Sequence, residues 1–158
     1  MSALLQMVLL TLAPFLELRA SIPYGVFATN YSLLTVFTIC VLVNIILGPI
    51  VYFFYDKIIH IFLKIKFIDR IYQKMVLKTQ KKVHPYVEKY GILGLAVFIG
   101  VPLPGSGVYT GALAAYLLGF RKRDFLFATI IGVVIAGIIV MLVSTAGNGI
   151  WQFLIKKV

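Results

Sequence analysis

The chain is poor in almost everything a water-soluble surface needs. Of its 158 residues 13% are charged, only five of them acidic, while 61% are hydrophobic; soluble domains run at roughly 25% charged and 45–50% apolar. A compact body of this size has too little interior for so much apolar surface, so the excess faces lipid or partner chains. One cysteine, Cys40, excludes a disulfide framework or a thiolate metal cluster within one chain. The two histidines, His60 and His84, lie too far apart for metal-ligand spacing. No Lys or Arg precedes Arg19, which argues against a cleavable signal peptide despite the apolar run over 2–16. Carboxylates are too sparse for paired acid–base chemistry, and Ser106 has no evident base; the sequence therefore reads as neither an enzyme nor a cofactor carrier.

What the chain has is cations and apolar blocks. Nine of the fifteen Lys and Arg residues fall between Lys57 and Lys89, between hydrophobic segments. That position indicates a membrane-flanking cytoplasmic loop facing anionic lipid rather than nucleic acid. Four blocks stand out: Ser2 to Ala28, Leu33 to Tyr55, Ile92 to Phe120 and Phe125 to Trp151. The second and fourth carry uncharged runs, over 33–55 and 125–147, that are long enough to span a bilayer. A bend is expected in the second at Gly48-Pro49. The first and third are interrupted. Pro14, Glu17, Arg19, Pro23 and Gly25 break one; Pro102, Pro104, Gly105, Ser106 and Gly107 break the other. Each splits into two short helical arms around an irregular centre.

Charge placement selects between topologies. If all four blocks crossed, the Lys57 to Lys89 loop and Arg121 to Arg123 would fall on opposite faces, against the positive-inside tendency. If blocks one and three are re-entrant hairpins, both clusters are cytoplasmic, although Lys156 and Lys157 then lie outside. The expected fold is an all-α integral membrane protein: two re-entrant hairpins and two full spans, arranged as an inverted repeat. The first half covers 1–55 (hairpin 2–28, span 33–55), a basic amphipathic linker 56–90, and the second half 91–158 (hairpin 92–120, span 125–147). In the linker Ile61, Ile65, Ile68, Tyr72 and Met75 fall on one helical face, with Lys66, Arg70, Lys74, Lys78 and Lys82 on another, a pattern suited to the inner-leaflet surface.

Glu17 and Arg19 are the only charges in the first block. At membrane depth each costs at least about 2.5–3.5 kcal/mol, so such groups pair or line a wet path. Two readings follow: a salt bridge or interfacial snorkelling that fixes the hairpin, or a working site in which Arg19 anchors a phosphate or other anion and Glu17 is its counter-ion or a proton carrier. A helical arm beginning near Gly107 or Val108 would aim free N–H groups inward, where an anion binds. Candidate binding residues are Glu17, Arg19, Pro23, Pro102, Pro104, Gly105, Ser106 and Gly107, with Asn44 and Tyr109 in support. Gly111, Ala115, Gly119, Gly132 and Ala136 read as small residues that let helices approach.

The pieces Glu17-Leu-Arg-Ala-Ser-Ile-Pro23, Glu88-Lys-Tyr-Gly91, Val101-Pro-Leu-Pro-Gly-Ser-Gly107 and Tyr109-Thr-Gly111 resemble, in that order, the putative small multi-drug export protein family. That family is regarded as a distant relative of the DedA-like (SNARE-associated/VTT) membrane proteins. The resemblance implies two re-entrant hairpins and movement of lipid phosphates with cation coupling, and points to Glu17, Arg19, Pro102, Pro104 and Ser106. It differs in one respect: the region from Gly91 to Phe120 has no charge, where DedA-like proteins carry acidic and arginine residues in both halves.

The leading expectation is thus a transporter or lipid translocase of the cell membrane for an anionic or amphiphilic substrate, coupled to protons or sodium. A small multidrug exporter using Glu17 as exchanging carboxylate is the alternative within transport. A non-transporting scaffold recruiting partners through its basic linker is the alternative outside it. So short a chain makes a thin wall around any polar pocket, which favours a homodimer.

Overall fold

The computed structural model describes residues 2–62, 90–102 and 106–155. These form six helices and no strand: α1 (Ala3–Leu12), α2 (Glu17–Ala28), α3 (Leu33–Phe62), α4 (Tyr90–Gly100), α5 (Val108–Leu118) and α6 (Lys122–Ile155). The amphipathic helix expected in the linker lies outside the described residues beyond Phe62, as do Pro104, Gly105, Lys156 and Lys157.

Local chemistry sets the ends. Ser2 caps α1 by accepting the Leu5 N–H at 3.4 Å, and Ser32 accepts the Thr35 N–H at 3.2 Å ahead of α3, each satisfying a donor that the helix leaves free. Pro14 follows the end of α1. Gly119 closes α5 in the left-handed conformation (φ 76°), where its N–H reaches Ala115 and Tyr116 carbonyls and the Phe120 N–H returns to Ala115 at 2.9 Å, a glycine C-terminal cap. Gly119 therefore terminates α5; helix approach falls to its small neighbours. Pro23 and Pro49 stay inside α2 and α3, and both helices continue past them.

The α3 and α6 helices are each long and apolar enough to cross a bilayer. Both run further than the uncharged segments suggest, because Asp56 to Phe62 continue α3 and Lys122 to Asp124 open α6. They pack antiparallel: Phe37 and Val41 face Gly137, Gly48 faces Thr129, and Tyr52 stacks on Phe125 at 5.0 Å. Lys57 and the Arg121 to Arg123 cluster consequently sit at the same end of the bundle. Leu34, Ile46, Ile50, Phe54, Leu142 and Val143 are more than half exposed, an outward apolar band suited to lipid.

The remaining helices fold back in pairs. α1 lies against α2, with the Tyr24 hydroxyl donating to Gln6 Oε1; α4 lies against α5 where Ile99 meets Gly111. The first hairpin has its open end beside the start of α3, since Gly25 touches Val36. The second has its open end beside Tyr52, whose hydroxyl donates to the Phe120 carbonyl at 3.1 Å. The two bends thus approach each other from opposite ends and meet at mid-length of α3 and α6.

Small residues permit the closeness. A methyl group at Gly132 would lie 2.7 Å from the Ala96 carbonyl oxygen and 2.8 Å from Ile99 Cβ, and the carbonyl belongs to helical backbone that cannot swing aside. Gly132→Ala is expected to destabilise the protein by ~1–3 kcal/mol and lower its melting temperature in detergent. Gly94→Ala, whose added methyl meets nothing within 4 Å, should leave that temperature unchanged or slightly raised.

Candidate functional site

The site is built where the hairpin bends touch. α1 ends at Leu12, and the chain turns through Ala13 to Leu16 before α2 begins. Phe15 (φ 70°) and Glu17 (φ 46°) adopt the left-handed conformation, which costs an L-residue about 1–2 kcal/mol each. Such strain persists only where the surroundings enforce it. Here the enforcing contact is visible: the Glu17 carboxylate accepts the Val108 N–H at Oε2 (3.1 Å) and the Tyr109 N–H at Oε1 (3.2 Å). These are the first two amides of α5, which have no partner within their helix. The negative charge also meets the positive end of the α5 dipole. Glu17 is 6% exposed and Val108 fully buried, so the pair is sheltered from water and the charge-assisted bonds are strong.

Arg19 makes the complementary link. It lies in the first turn of α2, half-buried, and its Nη2 donates to the Ser106 carbonyl (2.5 Å) and hydroxyl oxygen (2.8 Å). The Ser106 hydroxyl in turn donates to the Val101 carbonyl at 2.5 Å, tying both sides of the second bend together. The Tyr109 hydroxyl reaches back across the boundary to the Leu12 carbonyl, 2.5 Å away, satisfying an acceptor at the end of α1. Among the described residues Glu17 and Arg19 form no ion pair with each other; each is spent on the opposite hairpin.

Gly107 makes the approach possible. It has φ 127°, and a Cβ there would lie 2.6 Å from Glu17 Oε2, so both conformation and space require glycine. Behind the contact, Glu17, Arg19 and Asn44 line an internal cavity of about 10 Å³, closed by Ile99, Val108, Val133 and Ala136. That is room for about one water molecule. Beside it a wider apolar groove of about 410 Å³ is lined by Phe15, Leu47, Ile50, Phe54, Tyr55 and Tyr109, among others.

Of the candidates read from sequence, Glu17, Arg19, Ser106, Gly107, Tyr109 and Asn44 converge here. Pro102 is half-buried within the second bend. Pro23 stands apart in the interior of α2; its missing N–H leaves the Arg19 carbonyl without the usual donor four residues on. The N-terminus of α5 is where the sequence placed it, but its anion is supplied by the chain itself. Ile99, Val133 and Ala136, which shape the cavity, carry no chemical signature that sequence could reveal. Among the described residues no cluster of His, Cys, Asp or Glu could hold a metal ion.

Gly107→Ala tests this geometry. It is expected to expel the Glu17 carboxylate from the α5 amides and to cost ~2–4 kcal/mol, from strain and two unmade hydrogen bonds. In a Glu17→Ala background, where the obstructed side chain is gone, the same substitution should cost clearly less, a coupling readable from four melting curves.

Comparison with curated proteins found no match, and comparison with solved structures found none. A family model described as Putative small multi-drug export protein matches residues 17–139, more than three quarters of the chain, beginning at Glu17 and spanning both bends; the chain belongs to that family.

Proposed function

We propose that the protein is a secondary transporter, or lipid translocase, for an amphiphilic substrate with an anionic head, driven by proton exchange at Glu17. The observation that carries this reading is the Glu17 carboxylate seated on the Val108 and Tyr109 amides. An internal anion occupies a ready-made anion site in the middle of an apolar bundle. Protonation removes the charge that holds it there, and the vacated amides, with Arg19 nearby, form a pocket for a phosphate or carboxylate head. Proton and substrate anion thereby compete for one position, which is a minimal coupling device. The groove of about 410 Å³ beside Tyr109 would take the apolar body of the substrate.

In this reading the hairpins are re-entrant and the halves form an inverted repeat, a plan that places substrate sites at midplane between broken helices. The antiparallel α3 and α6 and the opposite entry of the two hairpins support it. The shared end of Lys57 and Arg121 to Arg123 would face the cytoplasm. Kinship with DedA-like proteins, a homodimeric assembly and movement of a phosphate lipid belong to the same proposal.

A second reading is favoured by the aromatic lining of the groove. Phe15, Phe54, Tyr55 and Tyr109 would suit a lipophilic cation through ring-face attraction, with Glu17 as its exchanging carboxylate, and the family's description fits such a substrate.

Substrate charge separates the two. In vesicles containing the purified protein, Arg19→Gln should reduce movement of a fluorescent phosphate-headed lipid at least tenfold while the protein stays folded. Glu17→Gln should abolish its dependence on a pH gradient yet leave exchange in place. If instead Glu17→Gln eliminates ethidium transport and Arg19→Gln spares it, the cation reading holds.

A further inference from the structure

Among the described residues three buried polar atoms have no hydrogen-bond partner: Ser21 Oγ, Asn44 Oδ1 and Thr129 Oγ1. Their residues are 0%, 1% and 0% exposed. Buried polar groups are nearly always satisfied, and this chain satisfies the others locally. Thr11 donates to the Met7 carbonyl at 2.9 Å and Ser144 to the Val140 carbonyl at 2.7 Å, each bonding back along its own helix. Ser21 and Thr129 sit in helices as well and leave that option unused.

The three are aligned. Ser21, with Thr11, faces the Cys40 thiol, a weak hydrogen-bonding group; Thr129 packs on Gly48; Asn44 lies between. Cys40, Asn44 and Gly48 succeed one another at four-residue intervals on the buried face of α3, steps of about 6 Å. The middle step opens on the cavity of about 10 Å³ that Asn44 shares with Glu17 and Arg19, large enough for about one water.

We infer that this face of α3 is the start of a proton path, in which a water on Asn44 takes the proton of Glu17 and the Ser21 and Thr129 hydroxyls, one helical turn to either side, are the next groups to receive it. It rests on the reading of Glu17 as the proton-exchanging group. The protonated carboxyl gives its proton to the cavity water, held on Asn44 Oδ1. That water releases one of its own protons to the next water or hydroxyl oxygen, and Glu17 returns as carboxylate to the α5 amides. The Ser21 and Thr129 hydroxyls each take one proton and release another, so neither is consumed. The charged or titratable groups around Glu17 are Arg19 on its own helix and Tyr109 on α5, with Cys40 and Tyr55 of α3 further off. α4 and α6 contribute only Ile99, Val133 and Ala136 to the cavity.

The test needs no knowledge of the substrate. In lipid-reconstituted protein, infrared spectroscopy after a pH jump follows the carboxyl band that disappears in Glu17→Gln. Ser21→Ala, Thr129→Val and Asn44→Leu are expected to slow its equilibration at least tenfold while the melting temperature holds or rises, since each removes an unsatisfied group from the core. Equilibration as fast as in the unaltered protein, in variants that remain folded, overturns the path while leaving the role of Glu17 intact. A band that does not titrate in the unaltered protein overturns both, and places the fault in the reading of Glu17. The two conservative hydroxyl deletions keep the outcome decisive if Asn44→Leu fails to fold.

Discussion

The arrangement depends on one contact: the carboxylate of Glu17 on the first amides of α5, ninety-one residues along the chain. A helix that begins in the middle of an apolar bundle exposes donors away from bulk water, at a cost of about 1–3 kcal/mol for each one unmet. The same break in α4–α5 that creates the donors also creates the demand for an anion. Glu17 meets it, and everything nearby is subordinate to that: the left-handed backbone that aims the carboxylate, the glycine at 107 that makes room for it, and the Arg19–Ser106 link that holds the second bend in place beside it.

The two long helices provide the frame. Because α3 and α6 run antiparallel, the hairpin that precedes each one enters from the opposite end, and the bends have nowhere to meet except at mid-length. Gly132 against Ala96 and Gly111 against Ile99 bring α4 close enough to α6 and α5 for Val101 to lie within reach of Ser106. In a membrane this frame has no hydrophobic force pulling helices together, so close backbone packing and the polar links at the bends carry the specificity.

Much of this was legible in the sequence for a physical reason: prolines, glycines and isolated charges inside apolar runs are costly there and mark the breaks. Pro14, Gly107 and the two long uncharged segments located the bends and the spans, and Glu17, Arg19 and Ser106 fell where the contacts are. The pairing itself was not legible. Glu17 and Arg19, two residues apart, suggest an ion pair or a shared ligand, and only the opposing hairpin shows that each has a separate partner. Positive φ at Phe15 and Glu17 leaves no trace in residue type. Gly119 matched a packing pattern but closes a helix. The ends of α3 and α6 extend through charged residues that the hydropathy reading treated as boundaries, because a helix that emerges from lipid continues as long as its backbone hydrogen bonds do.

A contact that locks two hairpins by one charge has a built-in direction of failure. Its two partners belong to segments that enter from opposite ends, so loss of the charge weakens both bends at the level where they meet and leaves the Arg19–Ser106 and Tyr109–Leu12 links to hold them. Dispersion contacts around the site are small, formed by Ile99, Val133 and Ala136, and cannot substitute for two charge-assisted bonds. The junction is therefore held by polar links, Glu17 on the α5 amides, Arg19 on Ser106 and Tyr109 on the Leu12 carbonyl, rather than by apolar packing. A structural ion pair between Glu17 and Arg19 would have kept both charges within one hairpin. Spending each charge on the opposite hairpin instead ties the two bends to each other, Glu17 through the α5 amides and Arg19 through Ser106.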